Sequence, residues 1–219
     1  MAIMTFPLPL SEFFGGLRVS EATPLHLPDA RQTSQTRGGE MIPASIGNRL
    51  WRGSVTLAPG YHDDADATAA KLMRLTDPDG TFFARPVGRM GPIADPLGEY
   101  LAGLTPKISQ IAASNRELRI NGLPNSLPLQ VGDYLSFTYG SNPIRYAFHQ
   151  IVGGGGAAST GGLSPWLEVM PPLRPGATVG ADVVLVRPFF KAMILTAGFG
   201  SRRPMIAEGQ SIEYVQTLR

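Results

Sequence analysis

The sequence predicts a mainly β fold with a single α-helix. Three observations support this prediction: many short segments alternate apolar and polar residues, glycine and proline separate these segments, and only one segment has helical periodicity. The chain has 219 residues, among them 26 glycines and 20 prolines, so turns are frequent. In the middle of the chain the short segments recur at regular spacing, which is typical of a small barrel or sandwich.

The first part of the chain is predicted to contain an arm, a strand, a helix and a second strand. Residues 18–46 mix proline, glycine and polar residues, which indicates a long irregular loop or arm. Residues 51–57 alternate with the period of a strand, and residues 63–76 have the period of a helix. The turn residues of 77–80 then lead into a second strand over 81–84.

The predicted helix has a polar beginning and one apolar face. Asp63 or Asp64 can cap its first turn, because a short side-chain oxygen accepts a hydrogen bond from a free backbone N–H there. The helical period predicts that one face is buried, and this face consists of Ala65, Ala69, Leu72 and Met73.

A change in the spacing of predicted strands along the chain indicates a second domain inserted into the first. Residues 86–106 are rich in proline and glycine, and six short strands follow, predicted over 107–112, 117–121, 133–139, 145–152, 166–170 and 182–187. Residues 189–195 and 212–218 predict two further strands that complete the first domain; the second places Ile212, Tyr214 and Leu218 on one side. The predicted domains are therefore 1–105 plus 188–219, and an inserted small β-barrel over 106–187.

Two of the middle strands contain several aromatic residues, which raises the question of nucleic-acid binding. The period of two places Leu135, Phe137 and Tyr139 on one face, and places Tyr146, Phe148 and Val152 on one face of the next strand. A single-strand binding barrel combines exposed aromatic rings with a basic groove. Arg145 is the only cation close to these aromatic residues in the sequence, so we predict core packing and no nucleic-acid binding. The glycine-rich residues 153–162 lack the ending of a phosphate-binding loop and predict a flexible hairpin tip.

Composition and motifs exclude several kinds of chemistry. The chain has no cysteine, which excludes disulfides, thiolate metal sites and cysteine nucleophiles. The histidines, His26, His62 and His149, have no metal-ligand spacing, and we expect the acidic run after His62 to begin a helix and His149 to be a satisfied strand residue. No catalytic motif is present, so the sequence predicts neither an enzyme nor a bound cofactor or metal.

The surface is predicted to be unusually neutral. Charged residues make up 16% of the chain, whereas about 25% is usual, and the net charge is only +2. Neutral surface suits large subunit contacts because charges are costly to desolvate, but an ordinary loop-rich β protein would have the same composition. No apolar run approaches the ~20 residues of a membrane-spanning helix, so we predict no membrane insertion.

The order of several weak motifs resembles a known family. Trp51-x-Gly-x-Val-x-Leu, a helix and Gly80-Thr81-Phe82-Phe83 are similar to the first domain of phage distal tail proteins. Later in the chain, the succession 127–135, 149–152 and 168–174 contains Val-Gly-Asp-Tyr, His-Gln-Ile-Val and Pro-Pro-Leu-Arg. This succession resembles tail-tip proteins of long-tailed phages and of gene transfer agents.

The resemblance implies a specific architecture and role. It implies a tail-tube-like β domain made from both ends of the chain, with a small OB-like barrel inserted. It also implies a virion protein that forms a ring, typically of six copies, at the tail tip after assembly in the host cytoplasm. Its partners would be other copies of itself, the tail tube protein, the baseplate hub and other tail-tip proteins, including fibres. The candidate contact residues on this hypothesis are Arg31, Arg37, Gly154, Gly155, Arg174, Arg202 and Arg203.

Three alternatives remain open at this point. The chain could be another tail tube or tip component of related fold. It could be a carbohydrate-binding module that grips the host envelope through Trp51 and Trp166, although the strand pattern predicts that both are buried. It could also be a cell-wall hydrolase, for which nothing in the sequence pairs the available carboxylates Glu117, Asp133, Glu168 and Asp182 at a diagnostic spacing.

Overall fold

A computed structural model describes residues 4–218 and confirms the predicted fold class. Strands account for 40% of the chain and helices for 8%, with one α-helix and sheets that form a half-barrel and a nearly closed barrel. A 3₁₀ turn (Phe14–Gly16) and helix α1 (His62–Leu75) are the helical elements of the described range. The strands are β1 (Val19–Ala22), β2 (Arg31–Gln35), β3 (Met41–Ser45), β4 (Arg52–Leu57), β5 (Phe82–Ala84), β6 (Lys107–Ile111), β7 (Glu117–Asn121), β8 (Pro128–Leu129), β9 (Tyr134–Tyr139), β10 (Arg145–Gly154), β11 (Gly156–Ala157), β12 (Leu167–Met170), β13 (Val183–Val184), β14 (Phe190–Arg202) and β15 (Ala207–Gln216).

The first sheet joins the two ends of the chain. Its five strands follow the order β1-β4-β15-β14-β5, and every neighbouring pair is antiparallel. The apolar residues that alternate along these strands face a common core, which includes Val55, Phe82, Phe190, Ile212 and Tyr214. The sequence period therefore specifies which face of this sheet is buried.

The second sheet curves back on itself. Its six strands follow the order β13-β9-β10-β12-β7-β6, and the first and last strands of this order meet. Backbone hydrogen bonds from Ile108 N to Ala181 O (2.9 Å) and from Val183 N to Pro106 O (2.8 Å) join them. All strands of this sheet come from residues 107–184; the domain limits at 105/106 and 187/188 stay a prediction.

The start of α1 differs from the sequence prediction. The N-cap residue is Tyr61, no side chain caps the helix, and Asp63 and Asp64 lie inside the first turn. Asp64 instead approaches Arg18, with 3.6 Å between the carboxylate and the guanidinium. The predicted apolar face is also shifted: Leu75 is buried, whereas Met73 is 61% exposed, because the sheet covers the Leu75 side of the stripe.

The predicted arm is only partly irregular. Within 18–46, β1 pairs with β4, and β2 pairs with β3 in a separate two-stranded hairpin. The sequence prediction missed this hairpin because all ten of its strand residues are exposed, so no burial imposes an apolar period.

Strand ends account for the other corrections. β13 covers only two residues of the predicted 182–187, whereas β14 continues seven residues beyond the predicted end at Leu195. β15 begins at Ala207 and ends at Gln216, so Leu218 lies beyond the strand. In β10 a register shift between Ile151 and Gly153 turns Val152 outward, to 40% exposure, and Val152 therefore does not share the buried face of Phe148.

An aromatic joint connects the two sheets. The indole N–H of Trp51, just before β4, donates a 2.9 Å hydrogen bond to the backbone oxygen of Phe148 in β10. The ring of Phe148 lies 5.5 Å from the Trp51 ring, 5.3 Å from the Tyr134 ring and 4.9 Å from the Phe190 ring, measured between centroids. Phe148 therefore belongs to the core of the first sheet although its strand belongs to the second.

The turn before β9 depends on Gly132 and Asp133. Gly132 has a φ of 99°, which residues with a side chain rarely adopt. The fully buried carboxylate of Asp133 accepts hydrogen bonds from the backbone N–H groups of Gln130 (2.8 Å) and Ile93 (2.7 Å). A buried charge is tolerated there because these donors, and Arg89 at 3.9 Å, replace its hydration. Pro171 and Pro172 follow the last residue of β12, where their lack of a backbone N–H suits the end of a strand.

Candidate assembly surfaces

Every strand residue of the β2–β3 hairpin is exposed. Its apolar residues include Met41 and Ile42, which are 58% and 53% exposed, and Ile46 just beyond it is 67% exposed. Of the predicted contact residues, Arg31 forms a 2.8 Å ion pair with Asp29, and Arg37 is exposed in the turn. A two-stranded hairpin is marginally stable by itself, so this segment is suited to a partner surface.

The far end of the β14–β15 hairpin forms a second surface. The predicted contact residues Arg202 and Arg203 lie there, but both are occupied within the chain: Arg202 pairs with Asp66, and Arg203 pairs with Glu208 at 2.7 Å. Arg203 also offers its backbone oxygen to His62 Nε2 at 3.0 Å, which fastens the hairpin to the start of α1. These arginines therefore hold the surface together. The apolar side chains exposed on this hairpin are Met193, Leu195, Phe199 and Met205.

Gly154 and Gly155 have a structural role that the sequence prediction did not give them. Their φ values are 70° and 94°, and a Cβ on Gly155 would lie 2.6 Å from the backbone oxygen of Leu129. The loop is not a free flexible tip, because β11 pairs with β8 and Ala158 is buried in the barrel core. Glycine is required here for close backbone approach.

Arg174 lies in a cavity that the sequence did not reveal. The cavity has a volume of about 710 Å³, and Arg49, Arg116 and Arg145 line it together with Arg174. We call it the arginine pocket. Arg49 donates hydrogen bonds to the backbone oxygens of Pro28 (3.1 Å) and Leu27 (2.8 Å), which ties the segment after β3 to the chain before β2. Successive arginines of the pocket are 67, 29 and 29 residues apart in the sequence, so no local motif could have indicated the pocket.

A buried histidine lies behind the wall of this pocket. His149 Nδ1 donates a 2.7 Å hydrogen bond to the backbone oxygen of Pro171, which lines the pocket, and its Nε2 has no hydrogen-bond partner in the described structure. His149 is therefore only half satisfied. Burial lowers the pKa of His149 to about 4, and the positive charge of Arg174 acts in the same direction.

The other candidate residues do not form a catalytic or metal site in the described structure. No group of three or more histidine, aspartate or glutamate residues within 4–218 is arranged to hold a metal ion. Glu117 and Glu168 lie opposite each other on β7 and β12, and both are exposed. Asp133 is buried in its turn, and Asp182 pairs with Lys107 at 3.1 Å, so the four carboxylates do not converge.

The two tryptophans differ in exposure. Trp51 is 2% exposed, as predicted, but Trp166 is 40% exposed, and the guanidinium of Arg119 lies 5.6 Å from its ring centroid. The prediction that Trp166 is buried is wrong because Trp166 shares the outward face of Glu168, whereas Leu167 and Val169 face the core. Trp166 is therefore a surface aromatic residue.

The aromatic cluster of the middle strands is largely internal. Phe137, Tyr139 and Phe148 are all at most 5% exposed, so these rings cannot stack on bases. No helix within residues 4–218 is long and apolar enough to cross a bilayer.

No protein-family model matches the chain, and no curated protein matches it.

Proposed function

We propose that this protein is a structural component of a phage tail tip, a distal tail protein that forms a ring of six copies and has no catalytic role. The ring would join the tail tube to the baseplate hub and fibres. The observation that carries the proposal is the architecture, in which both ends of the chain build one open sheet and a small, nearly closed barrel lies between them.

The exposed hairpin supports the ring. A closed ring needs head-to-tail contacts between two different surfaces of each copy. The β2–β3 hairpin offers one such surface, because it has exposed strands and Met41 and Ile42 on its outside. The low charged fraction, 16%, lowers the desolvation cost of such contacts.

Deleting the hairpin is expected to abolish the ring while the monomer stays folded. Residues 31–45 can be removed and the ends joined by a short glycine linker, because Ile46 N donates to Ala30 O at 2.8 Å. Light scattering and negative-stain imaging are expected to show a uniform ring for the unaltered protein and a monomer for the deletion. The exposed-surface variant Met73→Ser serves as a control and should retain the ring.

The same images separate the neighbouring hypotheses. An unchanged ring after the deletion would show that the hairpin is not the contact. Rings that stack into long tubes would favour a tube component. A protein that stays monomeric, alone and with the tail tube protein, would contradict the ring proposal and favour a binding module.

Exposed Trp166 favours one second candidate, a carbohydrate-binding module. A surface tryptophan can stack on a sugar ring, and Gly154 and the guanidinium of Arg119 lie next to Trp166. On this hypothesis, envelope oligosaccharides should shift the emission of Trp166, and Trp166→Ala should weaken binding at least about tenfold, which corresponds to the loss of one aromatic contact. Trp51→Phe is the matched control, since Trp51 is buried. Binding that persists in Trp166→Ala would remove this candidate.

A further inference from the structure

The arginine pocket has a strong excess of positive charge. None of the residues that line it is acidic. The guanidinium groups of Arg116, Arg145 and Arg174 form no hydrogen bond or ion pair with any residue of the described chain. Four like charges around one cavity repel each other and attract an anion.

Much of the pocket wall is apolar. Apart from the arginines, the lining contains the apolar residues Met170, Pro171, Pro172, Leu173, Pro175 and Leu218, together with Ser45, Gly47, Asn48 and Tyr139. A volume of about 710 Å³ is far larger than a phosphate or sulfate ion needs. The pocket therefore suits a ligand that carries several negative charges and also apolar groups.

We propose that the arginine pocket binds an acidic, partly apolar peptide segment of another protein. Carboxylates form paired hydrogen bonds with guanidinium groups, and leucine-like side chains can cover the proline wall. A nucleic acid fits less well, because Tyr139 is the one aromatic residue in the lining and it is 5% exposed. This site needs no ring, so it stands or fails independently of the proposed function.

Titration calorimetry on the full chain tests the site with defined probes. The ligand is a capped peptide of about eight residues that alternates aspartate with leucine, a length that fills the pocket and its rim. We expect this peptide to bind at low salt. We expect a control peptide, in which asparagine replaces each aspartate, not to bind. The double variant Arg116→Gln and Arg145→Gln should weaken binding at least about tenfold, because it removes two charge-assisted contacts.

The choice of variants protects this test from misfolding. Arg116 and Arg145 are exposed and make no side-chain contact that holds the fold. The control removes the same charge elsewhere, with Arg52→Gln and Arg187→Gln, which are exposed and do not line the pocket. Equal binding of the asparagine peptide, or an equal loss in the control, would overturn the proposal. Oligothymidylate that binds more tightly than the peptide, and loses binding in the pocket variant, would overturn it in favour of a nucleic-acid site.

Discussion

Acidification from pH 7 to pH 4 is expected to cost the protein about 3 kcal/mol of folding free energy through His149 alone. The pKa of His149 is about 4 in the folded protein and 6.5 at its ordinary value. Between these values the unfolded chain binds a proton that the folded protein excludes. Stability from this residue is therefore complete above pH 6.5 and is lost as the pH falls towards 4. The physical reason is the buried ring, which is 2% exposed and stacks on Phe137 at 5.4 Å.

Urea unfolding at a series of pH values measures this effect. The free energy of unfolding should rise steeply from pH 4 to pH 6.5 in the unaltered protein, and this rise should be smaller by about 3 kcal/mol in His149→Gln. The compared quantity is the change of the unfolding free energy with pH, so a general loss of stability in the variant does not obscure the result. His26→Gln, at an exposed histidine, controls for the number of histidines. If the unfolding free energy of His149→Gln changes with pH as it does in the unaltered protein, the inference that His149 is buried in its neutral form is wrong.

The sequence predicted those parts of the fold where burial imposes a period. β4, β7 and β12 have clear alternation because one face of each strand is in a core, and α1 has an apolar stripe for the same reason. The β2–β3 hairpin was missed because both of its faces are exposed. Regular structure without burial has no apolar period, so sequence reasoning assigns it to a loop.

The candidate surfaces were predicted less well, because they depend on tertiary proximity. Arg174 was singled out alone, and only folding brings Arg49, Arg116 and Arg145 to the same cavity. The opposite error occurred at Arg202, a predicted contact residue that the fold pairs with Asp66. Charge along a chain does not tell whether a residue is used internally or left for a partner.

Replacing Trp51 by alanine is expected to cost about 3–5 kcal/mol, the usual range for deleting a large buried aromatic side chain. The variant leaves a cavity between the two sheets and removes the hydrogen-bond donor of the Phe148 backbone oxygen. Trp51→Phe keeps most of the ring but not the N–H, so we expect a smaller cost of about 1–3 kcal/mol for the unpaired oxygen. Urea unfolding followed by circular dichroism measures both values without relying on tryptophan fluorescence.

A comparison with Trp166 tests whether the loss of stability at Trp51 comes from the aromatic contact between the two sheets. Trp166→Ala removes the same side chain from the surface, and we expect it to change the free energy of unfolding by about 0.5 kcal/mol or less. Because the Trp51 ring contacts Tyr134 and Phe148 from the second sheet, its loss should also uncouple the two sheets and broaden the unfolding transition. Equal costs at the two positions would contradict the joint. A large loss of unfolding free energy, with an unchanged dependence of that free energy on urea concentration, would mean that other contacts keep the two sheets unfolding together. The contact of Phe148 with Phe190 is one of them.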